Sequence, residues 1–325
     1  MINFFLTSII LHSFFIILHF LYFCSMKLSI LIASYNCDCV RLVQQLHSQL
    51  PADGEIIVGD DCSPNLDIVR KNNEVVSLPR CRIFRPDRNL GRAAIRNALA
   101  REAKGEWLLF VDADAEVRSN TFIDNYLAAT SPTAWNGEQP LVICGGTGNL
   151  PQLPRPEVRL RYDYEVAAEK RLTLQHRQRF PYAQFTTFNF LINRILFLTI
   201  CFDEQVHEYG HEDTLFGLEL KRRGIAVHHI DNKLTHLGLE NAAEYLAKTE
   251  TALRTLASME LEQRQHVRVS AMVLRLQHWH LLGLTRLLFK LTKPLLRRNL
   301  LGRHPRQLLF AFYKLGYYSV LHANN

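Results

Sequence analysis

The sequence predicts an α/β fold built on a mainly parallel sheet. Apolar strand-like runs and amphipathic helix-like segments alternate four times between residues 27 and 111, an order typical of parallel sheets with right-handed crossovers. The fourth run, residues 106–111, is followed at once by Asp112 and Asp114. Because open parallel sheets bind ligands beyond the carboxyl ends of their strands, this stretch indicates both the fold and the position of a site.

Each element of the alternation has its own pattern. Pro64 suits the first turn of the second helix, with Ser63 as its N-cap, and the third helix is rich in Ala and follows a turn at Asn89 to Gly91. Periodicity and turn residues together define the elements. The predicted strands are 28–33, 55–59, 82–85 and 106–111, and the predicted helices are 38–50, 64–72 and 92–103.

The rest of the chain divides into three parts. A proline cluster at 151, 154 and 156 separates residues 26–150 from a second half, residues 151–245. Residues 246–325 are predicted to be a basic amphipathic helical extension. Residues 1–25 hold an uncharged stretch long enough to span a bilayer, and Lys27 after it would place the following domain in the cytoplasm. The alternative is that Met26 is the true start.

The charge of the chain is unevenly distributed. The formal net charge is +7, but no Asp or Glu follows Glu262, and the remaining residues carry eleven Lys and Arg. Everything before them has a net charge of −4, which argues against nucleic acid as a partner. In the extension, cations at 286, 290, 293 and 297 run beside leucines at 284, 287, 288, 291 and 295. This pattern favours either an anionic membrane surface or packing onto the preceding domain.

The seven cysteines include no C-x-x-C pair. The odd number and the spacing argue against a disulfide framework or a zinc site, and they favour a reduced, cytosolic compartment.

The spacing of Asp112 and Asp114 indicates a cation site. Alternation along an extended chain places both carboxylates on one side, where they suit a hard divalent cation that shares its remaining positions with phosphates. The alternative is that the two acids only end a strand and solvate a turn.

Five motifs follow one another between residues 27 and 239. They are residues 29–36, residues 55–63, residues 89–91 with Arg96 and Asn97, residues 105–107 running into 112–114, and residues 202–204 followed by 212 and 213. In this order and spacing they resemble the family 2 glycosyltransferases of the GT-A fold, a Rossmann-like, mainly parallel sheet flanked by helices. The order and spacing carry the resemblance, since each motif alone is short.

The resemblance implies a nucleoside diphosphate sugar as donor. Asp61 matches the acid that receives the imide N–H of uracil, Tyr35 would stack beside the base, and Ala33 would present its backbone. Ala33 stands where some relatives have a hydroxyl residue, which weakens the assignment of uracil. The alternative role for Asp61 is to cap the next helix together with Ser63.

Residues near residue 90 are predicted to bind the diphosphate. Two or three of the guanidinium groups of Arg88, Arg92 and Arg96 are expected to face this anion, and Gly91 lets the backbone approach closely. The alternative for the arginines is an ordinary solvated helix face.

The resemblance also implies a Mg²⁺ or Mn²⁺ ion. Asp114 matches the metal ligand most directly, and Asp112 would contact ribose or a metal-bound water. His236 follows a predicted last strand, where some relatives supply a third ligand. The alternative is that His236 is an ordinary core or surface histidine.

Asp213 is the candidate general base. It stands just before a predicted helix that ends near Gly224, and its alternative role is as the N-cap of that helix. A base on the acceptor side implies single displacement with inversion. The acceptor side is expected to comprise residues 145–147, a helix at 162–170 and residues 188–190, with aromatic residues at 182, 185, 188 and 190 as a sugar-binding wall or as core.

The expected function is that of an inverting, metal-dependent glycosyltransferase that uses a nucleoside diphosphate sugar, with UDP as the favoured nucleotide. Its acceptor would be a saccharide or a lipid-linked glycan in cell-surface polysaccharide synthesis, at the cytoplasmic side of the cell membrane. Two alternatives remain: transfer to a polyprenyl phosphate, and a catalytically silent binding subunit.

Overall fold

The computed structural model describes residues 27–204 and 210–322. The predicted apolar segment at 1–25 lies outside the described residues. The strands are β1 (Leu28–Ser34), β2 (Gly54–Asp60), β3 (Cys81–Phe84), β4 (Trp107–Asp112), β5 (Ala115–Glu116), β6 (Val142–Cys144), β7 (Thr147–Gly148), β8 (Asn189–Asn193), β9 (Val227–His229) and β10 (Leu234–His236).

Thirteen α-helices are present in the described ranges, together with short 3₁₀ segments at Asn73–Ser77, Pro132–Trp135, Pro156–Val158 and Tyr182–Gln184. The α-helices are α1 (Val40–His47), α2 (Leu66–Asn72), α3 (Arg92–Glu102), α4 (Phe122–Ala129), α5 (Arg159–Arg171), α6 (Leu174–Arg179), α7 (Arg194–Ile200), α8 (Glu212–Arg222), α9 (Ala242–Ser258), α10 (Leu261–Arg264), α11 (Arg268–His278), α12 (Leu282–Leu300) and α13 (Gln307–Leu321).

Seven strands form the main sheet, in the order β3-β2-β1-β4-β8-β6-β9. Every pairing is parallel except those of β8, which runs antiparallel to β4 and to β6. Buried apolar residues cover both faces of the sheet, as expected when helices flank a parallel sheet. The predicted α/β class, with a mainly parallel sheet and a helical C-terminal region, is confirmed.

The register of the central strands positions the site. On β1, Ala33 lies opposite Gly59 of β2 and Asp112 of β4. Since all three strands are parallel, their carboxyl ends meet at one edge of the sheet. The loops that follow them, with Asp61 after β2 and Asp114 after β4, therefore open on the same side.

A small second sheet, in the order β5-β10-β7, brings distant residues to that edge. His236 pairs with Ala115, and the backbone N–H of Leu237 donates to the carbonyl of Asp114 at 2.9 Å. The pairing of β10 with β5 thus places His236 beside Asp114, although 121 residues separate them in sequence.

Two predicted details near helix ends are wrong. The second helix begins at Leu66 rather than Pro64, and Asn65 is its N-cap, because the Asn65 side chain accepts the N–H groups of Asp67 and Ile68. Asp213 does not precede its helix but is the second residue of α8, with His211 in the N-cap position. Neither Ser63 nor Asp213 therefore acts as an N-cap.

The C-terminal helices form a compact packed unit against α5. Leu160 of α5 and Leu246 of α9 share a buried cluster with Phe289, Leu300 and Phe310. No helix in the described ranges has both the length and the apolar character that a membrane span requires.

Three of the four cations of the basic stripe predicted in the extension make contacts within the helical unit, and the fourth, Lys290, is exposed. Arg286 donates to the carbonyl of Ser319 at 2.8 Å, Arg297 pairs with Glu250 at 2.9 Å, and the Lys293 ammonium lies over the Tyr317 ring at 5.5 Å. The leucine stripe is not packed onto the preceding domain: Leu284, Leu287, Leu288, Leu291 and Leu295 are all exposed.

Candidate functional site

A cavity of about 1040 Å³ opens at the carboxyl edge of β1, β2 and β4. It gathers nearly every residue that the sequence singled out, from both halves of the chain. Arg88 is exposed and is not in the lining, so its role stays a prediction that this geometry does not support. The predicted residues in the lining are Ala33, Tyr35, Asp61, Gly91, Arg96, Asp112, Asp114, Asp213 and His236.

Asp61 is held by the loop that precedes α3. Its two carboxylate oxygens accept the backbone N–H groups of Leu90 at 2.7 Å and of Gly91 at 2.9 Å. Gly91 has a φ of +87°, which favours glycine. Burial raises the pKa of Asp61, and the two N–H donors oppose that rise. Since Asn65 caps α2, helix capping does not account for Asp61.

The end of the cavity that was predicted to bind the nucleotide also holds Tyr35 and Ala33. Tyr35 is 53% exposed, so much of its side chain is accessible to a stacking partner. Ala33 lies at the end of β1 between the two acidic loops. A carboxylate has about four lone-pair sites, so Asp61 keeps acceptor capacity for a base N–H beside its two backbone donors.

Asp112 is an ion-pair partner for two arginines of α3. Arg96 is buried and its guanidinium donates to Oδ1 of Asp112, while Nη2 of Arg92 lies 3.8 Å from Oδ2. Nε of Arg92 also donates to Glu212 at 2.7 Å. These ion pairs connect the end of β4 to the start of α8, the segment that carries Asp213.

Asp114 and His236 face each other across the edge of the small sheet. Nε2 of His236 lies 3.2 Å from Oδ2 of Asp114, and Nδ1 lies 2.9 Å from Oε2 of Glu165. Burial opposes protonation of His236, but the hydrogen bonds to the two carboxylates and their negative charges together outweigh burial and raise its pKa to about 9. Burial alone would raise the pKa of Asp114; the His236 hydrogen bond and the positive charges of His236, Arg161 and Arg92 together outweigh burial and lower that pKa.

This pair suits a divalent cation chemically. A pKa of about 9 means that His236 is protonated at neutral pH, so a cation would bind by displacing the Nε2 proton. The carboxylate oxygen and the imidazole nitrogen are then donors that Mn²⁺ accepts, whereas Mg²⁺ favours oxygen alone. Glu165 contacts the ring nitrogen that faces away from Asp114, the arrangement by which a carboxylate orients a metal-binding histidine. Among residues 27–204 and 210–322, no three His, Cys, Asp or Glu side chains form a complete cage. A cation here would take its other ligands from substrate or water.

Gly238 makes room for Asp114. A Cβ at position 238 would overlap the Asp114 carboxylate. The absence of a side chain at 238 is therefore a condition for the observed position of Asp114.

Asp213 lies in the lining at the start of α8 and has the chemistry of a base. Its carboxylate accepts the N–H of Thr214 at 2.7 Å. Burial, and next the negative charge of Glu212, raise its pKa to about 6. Such a carboxylate is ionised at neutral pH and is a stronger proton acceptor than an ordinary aspartate.

The side of the cavity that was predicted to bind the acceptor combines α5 with the start of the C-terminal helices. Arg161 of α5 pairs with Glu165 at 2.6 Å and with Glu240, which also pairs with Lys248 of α9. Nε2 of His211 lies 3.2 Å from the carbonyl of Ala252 in α9. Lys248 and Ala252 both line the cavity, so the C-terminal unit contributes to its wall.

Of the four aromatic residues predicted for the acceptor wall, Phe190 belongs to the core. It is fully buried and stacks on Phe110 with ring centroids 4.8 Å apart. Phe185 and Phe188 are buried but line the cavity, and Tyr182 packs against the core from outside the lining.

Sequence reasoning missed Glu165, Gly238 and Lys248. Glu165 is one of several charged residues on α5, and nothing in its spacing distinguishes it. Gly238 follows His236 by two residues, and only the position of Asp114 gives that glycine a role. Lys248 lies in a segment that was assigned to a separate tail.

The comparisons with known sequences cover part of the chain. The sequence model described as Glycosyl transferase family 2 matches residues 29–188. A Haemophilus influenzae protein named as an uncharacterized glycosyltransferase is 38% identical over 89 residues, or 27% of this chain and 29% of that protein. The succinoglycan biosynthesis protein ExoO of Rhizobium meliloti is 34% identical over 90 residues, or 27% of this chain and 25% of that protein. The matches thus span less than a third of either relative.

Among solved structures, the mannosyltransferase PcManGT from Pyrobaculum calidifontis, in complex with GDP-Man and Mn²⁺, is similar over 92% of this chain and 86% of its own. The TM-score is 0.52 and the sequence identity is 14%. At that identity the likeness shows a shared fold.

Proposed function

We propose that the chain transfers a sugar from a nucleoside diphosphate sugar to an acceptor hydroxyl, and the premise is the match of residues 29–188 to the glycosyltransferase family 2 model. The observation that carries the proposal is the convergence of Asp61, Asp112, Asp114 and Asp213 on one cavity. A nucleotide, a diphosphate and an attacking hydroxyl each need a polar contact. These carboxylates come from three segments of the chain around the same space: the loop after β2, the end of β4 with the loop that follows it, and the start of α8.

The donor is proposed to lie along β1 and the loop at residues 89–91. Asp61 would accept an N–H of the base and Tyr35 would stack on it, which favours a UDP-sugar. PcManGT, which shares the fold, is described with GDP-Man, so a test of donors must include GDP-sugars. The buried Arg96 would act through Asp112, whose position it sets, rather than through direct contact with the diphosphate.

Asp114 and His236 are the residues proposed to hold Mn²⁺ or Mg²⁺, with Glu165 orienting the imidazole. The mixed carboxylate and imidazole donors favour Mn²⁺, the ion present with PcManGT. When bound, the cation would neutralise negative charge on the departing diphosphate. Gly238 would keep the Asp114 carboxylate in its observed position.

Asp213 is proposed as the general base. Its carboxylate would take the proton of the acceptor hydroxyl as that oxygen bonds to the anomeric carbon and the bond to the diphosphate breaks. Two observations support this role: the raised pKa of Asp213, and its position beside Glu212, the residue that Arg92 contacts. Attack from the side opposite the leaving group gives a product of inverted anomeric configuration.

The acceptor is proposed to be a saccharide or a lipid-linked glycan in cell-surface polysaccharide synthesis, at the cytoplasmic side of the membrane. The name of the Rhizobium meliloti relative, a succinoglycan biosynthesis protein, supports the polysaccharide. In the alternative reaction with a polyprenyl phosphate, the nucleophile is already ionised and needs no base. A carboxylate with a pKa of about 6 in the lining favours a hydroxyl acceptor.

Product analysis tests this proposal. The full chain is supplied with Mn²⁺, a panel of UDP- and GDP-sugars, and either free saccharides or a phosphorylated polyprenol. We expect a glycosidic product whose anomeric proton coupling shows inversion. Transfer only to the polyprenyl phosphate would show that the acceptor is this phosphate and not a hydroxyl. A product of retained configuration would contradict the role of Asp213.

A further inference from the structure

The α12 helix carries an apolar face that no described residue covers. The face comprises five leucines at helical spacing, each between 45% and 69% exposed. Single exposed leucines are ordinary on protein surfaces, but a contiguous set on one helix is typical of an interaction site. We name it the leucine face; its residues are Leu284, Leu287, Leu288, Leu291 and Leu295.

The leucine face is not needed to pack α12 into the fold. The helix already buries another side, on which Phe289, Leu296 and Leu300 join the cluster with Phe310 and Tyr313 of α13. Helical periodicity places the five leucines on the other side of the cylinder. The α12 helix is therefore apolar on two sides, and only one of them has a partner within the described chain.

The surroundings of the leucine face are basic. Lys290 and Arg298 are exposed on the same helix, and Arg303 and Arg306 are exposed in the turn that follows it. The chain has no Asp or Glu after Glu262. A partner that binds the leucine face would therefore lie beside positively charged residues, and no acidic residue after Glu262 offsets their charge.

We propose that the leucine face docks on an anionic lipid membrane. The leucines would enter the boundary between head groups and acyl chains, while Lys290 and Arg298 contact lipid phosphates, as in basic amphipathic helices that lie in the plane of a membrane. A second copy of the chain is the less favourable occupant, because self-pairing would bring the same basic residues together without a counter-charge.

This docking deepens the membrane location proposed above, on which it rests, but it does not require catalysis. The α9 helix lines the cavity through Lys248 and packs in one unit with α12 and α13. Docking through α12 would hold the acceptor side of the cavity in a fixed relation to the bilayer, which suits a lipid-linked acceptor.

A local fluorescence reporter tests the docking on the full chain. In the Leu291→Trp variant, the added tryptophan should lose emission on vesicles of phosphatidylglycerol with brominated acyl chains. Leu66→Trp is the matched control, since Leu66 is 63% exposed and lies on α2 in the first half of the chain. Quenching acts over a short range, so the readout reports on this face independently of residues 1–26.

Vesicle flotation gives the affinity. Leu291→Gln with Leu295→Gln should reduce binding to phosphatidylglycerol vesicles by roughly tenfold or more, and Lys290→Gln with Arg298→Gln should reduce it with a weaker salt dependence. Leu66→Gln and Lys221→Gln should bind like the wild type. Release of nucleoside diphosphate from soluble donor should be unchanged in the leucine variant, so loss of docking is distinguishable from loss of transferase activity.

Three results would overturn the proposal. One is quenching of Leu291→Trp no greater than that of Leu66→Trp. Another is equal quenching on neutral phosphatidylcholine vesicles, which would remove the role of charge. The third is a lipid-free dimer that the leucine variant dissociates, since that would make the face an interface between copies of the chain.

Discussion

Oε2 of Glu165 lies 2.9 Å from Nδ1 of His236, on the side of the imidazole that faces away from Asp114. This contact fixes the plane of the ring and directs Nε2 toward Asp114. It connects α5 of the second half of the chain to the acidic loop after β4, so the proposed metal site depends on both halves.

Glu165→Gln should weaken Mn²⁺ binding by about 10- to 100-fold, the usual effect of removing a carboxylate that orients a histidine ligand. Titration of free Mn²⁺ by electron paramagnetic resonance measures this without any need for activity. Glu169→Gln, one turn further along α5, is the matched control, because Glu169 pairs with Lys233 at 3.0 Å and not with His236. Equal affinity of the Glu165 variant and the wild type would refute the positioning role.

Gly238→Ala should reduce Mn²⁺ affinity and transfer together, because the new Cβ would displace the Asp114 carboxylate. Gly283→Ala is the control, since a Cβ there has no neighbour within 4 Å, and alanine in a helix is more stable than glycine by about 0.5–1 kcal/mol. Thermal unfolding followed by circular dichroism should show a cooperative transition from a folded state for both variants. A Gly238→Ala protein that folds and binds Mn²⁺ normally would show that the Asp114 position is not critical.

Asp213→Asn should lower kcat for transfer by about 10²- to 10⁴-fold and leave the Kd for the donor nearly unchanged. Calorimetric titration with a sugar nucleotide and Mn²⁺ measures the second quantity. If the donor no longer binds to a folded Asp213→Asn protein, Asp213 is a structural acid and the base must be sought elsewhere.

The pH dependence of kcat/KM follows from the pKa of Asp213, about 6. A base acts only when ionised, so the rate should fall about tenfold per pH unit below that value and level off above it. Glu212→Gln removes the negative charge that helps to raise this pKa, and the acid limb should therefore move to lower pH. If the acid limb of this variant moves to higher pH or does not move, the pH profile does not report the ionisation of Asp213.

Much of the donor side could be predicted from the sequence, because it depends on local rules. Buried strands that end in acids place Asp61, Asp112 and Asp114 at one sheet edge once the strands are parallel. Asp61 and Gly91 both lie in the cavity as predicted, and the contact between them follows from a turn that glycine permits.

The acceptor side could be predicted only in outline, because tertiary pairing determines it. Glu165 can orient His236 only because β10 pairs with β5 and places His236 at this edge. Gly238 matters only because the Asp114 carboxylate lies against it. Likewise, periodicity identified the leucine stripe of α12 but could not tell which side of the helix α13 would cover. Arg286 and Arg297 look like surface cations in the sequence, yet both make contacts within the helical unit.

The central claim is metal-dependent sugar transfer with Asp213 as base, and initial rates of nucleoside diphosphate release test it most directly. The wild type, Asp114→Asn and Asp213→Asn are compared with a panel of UDP- and GDP-sugars and candidate acceptors, in Mn²⁺ and in EDTA. The account predicts release by the wild type that needs both Mn²⁺ and acceptor, with loss in both variants and donor binding retained by Asp213→Asn. Absence of turnover by the wild type with any donor and acceptor, or equal rates in EDTA, would contradict it.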